Sequence, residues 1–194
     1  GCSGQDDSGL APPGTPIVNG FEVADGTPGE LIIRSAVPWT MNAGYLNNQD
    51  ATATAWRNGW FHTGDALMRT PEGDYIFVDR LTDVVRRRGE NISSYEVEAD
   101  VSMNPDILEC AAVAVKADTS EDEILLFAVK RPGASMTEQD LHADLKARMT
   151  RFMVPRYIEF VESLPKTQAT ARIIKAELRR RGTGTQTWDS EKPL

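Results

Sequence analysis

The chain has 194 residues, enough for one ordinary domain or for one domain and part of another. Its hydrophobic content of 40% and charged content of 26% are those of a globular chain and argue against wholesale disorder. A formal charge of -8 argues against a general nucleic-acid binder, because attraction to phosphates needs a surplus of Lys and Arg over the contact face.

Residues 1–29 are rich in Gly, Pro, Asp and Ser and are expected as a loop, with one short apolar patch around Ile17 and Val18. ELIIR at 30–34 has strand character, and the stretch after it forms a short helix opened by Asp50 as N-cap and ended by Gly59. ALMRTPEGDYIFVDR alternates apolar and polar residues on both sides of PEGD, which signals a hairpin closing at Asp79 and Arg80. DVVRRR then gives a strand, Gly89 a turn, and Ser94 the start of a helix with Glu96 and Glu98 in its first turns. Beyond it the spacing predicts strands in ILECAAVAV, EILLFAVKR and RYIEFVESL. It predicts helices in TEQDLHADLKARM and around the basic IIKAELRRR.

The expected class is α+β, with helices packed on a small sheet in a compact C-terminal domain that follows a β-rich segment. We place a first unit at 1–79, whose residues 1–28 are loop or disordered, a second at 80–181, and a flexible tail at 182–194. No apolar run approaches the roughly 18 residues of a spanning helix, so no membrane span and a soluble, cytoplasmic protein are expected. Cys2 and Cys110 are too few and too far apart for a disulfide framework, and Cys110 is expected to be buried and inert. His62, in a loop-like motif, and His142, on a helix, lack ligand-like neighbours, so no metal site is expected on this chain.

Three blocks occur in one order: GWFHTGD at 59–65, DRLTDVVRRRGENISSYEVE at 79–98 and LPKTQATARIIK at 164–175. Singly each is weak; together they resemble the last three signature motifs of the adenylate-forming, AMP-binding superfamily of acyl-CoA synthetases, peptide-synthetase adenylation domains and luciferases. The resemblance covers roughly residues 28–181. The wording PWTMNAGYLNNQDATATAWRNGWFHTGD and VVRRRGENIS is most similar to the carnitine and crotonobetaine CoA ligase group.

A carboxylate accepts two hydrogen bonds at once from a ribose diol, so an Asp on a tight Thr-Gly-Asp turn suits AMP, and the resemblance makes Asp65 that residue. A turn Asp satisfying its own loop amides is the ordinary alternative. Arg80 would bring a permanent cation and a planar donor fork to the ribose and phosphate oxygens. The resemblance implies a hinge two residues later, at Thr82, where the family usually has Asp or Lys. It also implies that Gly89 and Glu90 line a pantetheine tunnel, Gly because a Cβ would obstruct a chain passing close by, or simply because a left-handed turn needs it. Of the basic run 86–88, Arg86 is the candidate for CoA or ATP phosphates.

In the third block the family has Gly and then a Lys that offsets charge developing as carboxylate attacks phosphorus. Here Ala171 and Arg172 stand there, with one residue inserted; Arg keeps the charge but changes reach and donor geometry. Lys175 is the alternative donor, and Lys166 is expected on the surface.

The resemblance thus implies the C-terminal portion of an ATP-dependent acyl-CoA ligase. Its substrates would be ATP with Mg²⁺, CoA and a carboxylic acid, its products acyl-CoA, AMP and pyrophosphate. The portion alone would be inactive without a large N-terminal domain, which holds the acid pocket. The other reading is a non-catalytic accessory or interaction module derived from an adenylating enzyme.

Overall fold

The structure, a computed structural model, describes residues 16–18, 21–35, 37, 40–116 and 121–192. The chain divides into two compact units, Gly1–Thr82 and Asp83–Leu194, so the boundary falls after Thr82 rather than after Asp79.

Among the described residues the first unit holds one sheet of six strands: β1 (Pro16–Val18), β2 (Phe21–Glu22), β3 (Pro28–Ile33), β4 (Trp56–Arg57), β5 (Trp60–Arg69) and β6 (Tyr75–Arg80). The order is β2-β1-β3-β5-β4, and β6 also pairs with β5. The loop expected over 1–28 is corrected here: β1 pairs antiparallel with β2 and with β3. Runs of two and three residues show no periodicity, and they become strands because β3 offers an open edge. The expectation for residues 1–15 lies outside the described residues.

Helix α1 (Gln49–Ala55) is capped by Asn48, whose Oδ1 accepts from the Ala51 N–H at 3.0 Å; Asp50 sits in the first turn instead. It ends at Ala55, before Gly59, because Asn58 (φ 56°) and Gly59 (φ 75°) form a two-residue left-handed turn joining β4 to β5. The expected β5–β6 hairpin pairs from Arg69↔Tyr75 to Asp65↔Arg80, with a one-residue register shift between Ala66 and Leu67. Among the described residues Ile32 and Trp60 pack together as the buried hydrophobic cluster of this unit, with Ala55 and Ala66 also buried and Arg34 lying 5.8 Å over the Trp60 ring.

The second unit opens with the hairpin β7 (Val85–Arg87) and β8 (Glu90–Ile92), followed by α2 (Ser94–Ser102). Its main sheet contains β9 (Ile107–Lys116), β10 (Asp122–Lys130), β11 (Tyr157–Phe160) and β12 (Trp188–Asp189), in the order β12-β11-β10-β9. Helices α3 (Glu138–Arg148) and α4 (Lys175–Arg181) complete it. The β10–β11 pair is parallel and needs a crossover, which α3 supplies. That helix starts at a capping box between Thr137 and Asp140.

Alternation sorts the central strands onto two cores. Cys110, Ala112, Ile124, Leu126 and Ala128 pack with residues of α2 and α3, while Ala111, Val113, Leu125, Phe127 and Val129 pack with Leu164 and Leu178 of the α4 side. Both faces are covered, so β10 reads as a continuous apolar run rather than an alternating one. Burying Leu125 or Phe127 contributes roughly 1.5 to 3 kcal/mol each.

The flexible tail expected from residue 182 is also corrected. β12 pairs antiparallel with β11, Arg156 Nε and Nη2 grip Asp189 at 3.0 and 3.1 Å, and the Trp188 ring lies 5.2 Å from His142. A two-residue strand has no sequence signature; it forms because β11 would otherwise be an open edge.

Candidate functional site

The Thr-Gly-Asp segment is not a turn. It lies inside β5, where the register against β3 jumps between Glu30 and Ile32, and Gly64 takes φ 72° in the resulting bulge. Thr63 Oγ1 donates to the Leu31 carbonyl at 2.8 Å and accepts from the Asp65 N–H at 3.1 Å, which fixes the bulge. His62, expected in a loop, stands on the same strand with Nδ1 2.9 Å from Glu30 Oε2. A bulge re-aims the side chain after it, and here that side chain is Asp65.

Asp65 faces Arg80 directly across the β5–β6 ladder. Arg80 Nε lies 2.8 Å from Asp65 Oδ1, and its Nη1 donates to the Thr63 carbonyl at 3.2 Å. Oδ1 is buried yet has no aligned hydrogen bond, so the contact is an ion pair of imperfect geometry. The Asp65 side chain keeps 25% exposure, carried by its other atoms, and Arg80 keeps 49%. A carboxylate face and a guanidinium edge, held side by side and open to solvent, can together receive a diol and an anionic oxygen. Asp79, buried beside them, accepts from the Arg80 N–H at 2.7 Å and stiffens the end of β6.

Thr82 is the last residue of the first unit. One residue on, Asp83 accepts from Arg179 Nη1 at 2.5 Å, and Lys175 Nζ stands 4.0 Å away. Lys175 also meets Glu98 Oε1 and Ser94 Oγ, each at 2.7 Å, and the same Glu98 oxygen accepts the Ala112 N–H at 2.7 Å. Lys175 is therefore tied to α2 and to Asp83 rather than extended toward solvent.

The run 86–88 is sorted by the pleat. Arg86 is exposed on β7, whereas Arg87 is 6% exposed, places Nε 2.6 Å from Glu123 Oε2 and donates from Nη1 to the carbonyls of Phe152 and Val154. Burial lowers the Arg87 pKa from its ordinary value, against the pull of Glu123. Arg88 (φ 54°) and Gly89 (φ 80°) are the two left-handed positions of the β7–β8 turn, and a Cβ on Gly89 would meet nothing within 4 Å. Within this chain the glycine is needed for its dihedral, the left-handed reading, and not for clearance. Glu90 is exposed at the start of β8.

Arg172 lies on a tight loop closed by a Lys166↔Ile173 bridge. Its N–H donates to Thr167 Oγ1 at 3.1 Å and its carbonyl accepts the Thr167 N–H at 2.8 Å, while its exposed side chain has no partner among the described residues. Ala171 before it has φ 52°, a left-handed conformation that costs a non-glycine residue roughly 1 to 2 kcal/mol. Lys166 pairs with Glu109 at 2.5 Å.

Sequence reasoning brought Asp65 and Arg80 to one place, and the structure does the same. It missed Asp83, Glu98, Arg179 and the Arg87–Glu123 pair, whose partners lie dozens of residues apart and leave no local pattern. Among the described residues no group of three or more His, Cys, Asp or Glu could hold a metal ion, and no helix is long and apolar enough to cross a membrane.

Residues 96–170 match the family described as the AMP-binding enzyme C-terminal domain. The chain belongs to the adenylate-forming, AMP-binding superfamily of acyl-CoA synthetases, in its C-terminal part, and resembles the crotonobetaine/carnitine ligase group. The crotonobetaine/carnitine–CoA ligase of Salmonella arizonae is 37% identical over 152 residues, 78% of this chain and 29% of that protein. The long-chain-fatty-acid–CoA ligase of Escherichia coli O157:H7 is also 37% identical, over 163 residues, 84% of this chain and 28% of that protein. The anthranilate CoA ligase AuaEII, solved in complex with anthranoyl-AMP, superposes with a TM-score of 0.74 at 26% identity, covering 87% of this chain and 33% of that one. The chain thus spans under a third of the length of these curated relatives.

Proposed function

We propose that this chain serves as the C-terminal portion of an acid–thiol ligase, which converts a carboxylic acid, ATP and CoA into acyl-CoA, AMP and pyrophosphate. The observation that carries the reading is the in-register Asp65–Arg80 pair, set at the end of one unit and followed at once by the division after Thr82. The ribose hydroxyls of AMP would donate to the open side of Asp65, and Arg80 would turn its free edge to ribose or phosphate oxygens. Mg²⁺ would arrive with the ATP phosphates. The surroundings fit that nucleotide: beside their ion pair, the Asp65 carboxylate keeps an exposed side and the Arg80 guanidinium is half exposed.

Thr82 would be the hinge on which one cleft is refitted from acyl-adenylate to thioester formation. Exposed Glu90 and the Gly89 turn would face the pantetheine arm, and Arg86 would meet phosphates. Arg172 would supply the cation during adenylation, with Lys175 held back by Glu98. The Ala171–Arg172 pair also favours a second reading, an accessory module relieved of adenylation, because a left-handed Ala and a shifted cation both weaken that step. A large N-terminal domain would supply the acid pocket, and the site of action would be the cytoplasm.

A chimera in which this chain replaces the matching 152 residues of the Salmonella ligase tests the proposal. CoA-dependent AMP release is expected, and Asp65→Ala in the chimera should lower it about 100-fold. Unchanged release would remove Asp65 from the site. No release from a folded chimera, beside an active parent ligase, would favour the accessory module.

A further inference from the structure

We infer that Lys175 and Arg179 of α4 are positioning residues. They clamp the first residue of the second unit, so that any rotation between the units is confined to Thr82 and the two peptide links that flank it. The inference rests on Thr82 being the hinge, as proposed above.

A pivot works only if the chain on each side of it is held. Before Thr82, the Leu81 N–H donates to the Gly64 carbonyl at 2.9 Å, and the preceding residue, Arg80, is held by Asp65 and by the Thr63 carbonyl. Both anchors belong to β5 of the first unit. After Thr82, Asp83 is held from the far end of the sequence: Arg179 Nη1 lies 2.5 Å from Oδ1 across 96 positions, and Lys175 Nζ lies 4.0 Å from Oδ2. Lys175 is itself fixed to Glu98 and Ser94 of α2, and Glu98 in turn accepts the Ala112 N–H of β9. Two residues of α4 thus hold the first side chain of the second unit, and α2 and β9 brace one of them.

The charges balance, two carboxylates against two cations. The side chains of Asp83, Lys175 and Glu98 are 14%, 15% and 19% exposed, so the cluster is shielded enough for its charge-assisted bonds to be strong. Without it, Asp83 and Val84 would share the dihedral change, as far as Val85, which is buried and paired in β7, and the rotation would lose its defined axis. The third motif block ends on Lys175, the first residue of α4, so the helix that carries both cations follows that block directly and would steer the hinge whatever Arg172 does.

The test is nitrogen-15 relaxation and amide exchange on the 194-residue chain, with no substrate present. In the wild type, enhanced mobility is expected at Thr82 alone, with Leu81 and residues 83–85 as ordered as β5 and α2. Arg179→Met should speed amide exchange at Asp83 and Val84 about tenfold while the signals of α2 and β9 keep their shifts, and Arg179→Lys should restore most of the protection. Asp83→Asn should do the same more strongly. Should that variant fail to fold, Arg179→Met, which leaves Asp83 with Lys175, carries the test. Residues 83 and 84 that stay as ordered as wild type in a folded Arg179→Met, or a wild type as mobile at Asp83 as at Thr82, overturn the inference. Because nothing is turned over here, a failed clamp and a failed ligase reading are separate results.

Discussion

Arg87 and Glu123 form a pair 2.6 Å apart, with side chains only 7% and 10% exposed, at the point where the β7–β8 hairpin meets β10. Arg87 also closes the carbonyls of Phe152 and Val154, so one side chain ties three segments together. Removing one member of such a pair strands the other in low dielectric. Arg87→Met is expected to cost about 3 to 5 kcal/mol in urea unfolding. The double variant Arg87→Met with Glu123→Leu should recover much of that loss, and strict additivity of the two would show that the pair is not coupled.

At Ala171 the opposite sign is expected. Glycine removes the Cβ clash of the left-handed conformation, worth roughly 1 to 2 kcal/mol, but gives the unfolded chain extra freedom worth about 0.4 to 1 kcal/mol. Ala171→Gly should therefore raise stability by a few tenths to about 1 kcal/mol. A lowered urea midpoint would contradict the left-handed backbone.

Cys110 carries a pH dependence. Burial pushes its thiol up from 9.0 to about 11, so the folded chain holds a proton that the unfolded chain releases first. The resulting stabilisation is complete below pH 9 and is lost as pH rises from 9 to about 11. Across that window the loss amounts to roughly 2 to 3 kcal/mol. The difference in stability between wild type and Cys110→Ala, followed across that window, should shrink by this amount; a constant difference would dismiss Cys110 as the titrating group.

Deleting residues 184–194 should lower stability by about 2 to 4 kcal/mol, since it strips β12 from the sheet and takes the Asp189 partner from Arg156 and the Trp188 contact from His142. The Asp189 carboxylate raises the Arg156 pKa, so that guanidinium would be left charged and half-covered. Thermal unfolding measures the loss, and an unchanged midpoint would return the tail to its expected looseness.

Much of the second unit was legible because its strands and helices each carry their own signal: the apolar run of β10, the Thr137 cap of α3, the Gly89 turn. The first unit was harder. The bulge at Gly64 depends on the register of β3 against β5, and no residue near 63–65 announces it. Asp50 and Asn48 are both good caps, and only the position of the first helical turn decides between them. The candidate site was partly legible for the same reason: Asp65 and Arg80 flank one hairpin, although the register shift between Ala66 and Leu67 that sets them opposite each other leaves no mark in the turn. The cluster of Asp83, Glu98, Lys175 and Arg179 requires α4 to return to the start of its unit, which is a property of the packed sheet and not of any local string.

The two-sided burial of β10 has a consequence for how the chain is made. Residues 107–130 leave the ribosome before α4 and β12 exist, so for some seconds a long β-prone apolar stretch is born with one face bare and one edge open. A chaperone that recognises extended apolar segments has its clearest target in ILLFAV, and slowing translation just after it should increase aggregation of the nascent chain.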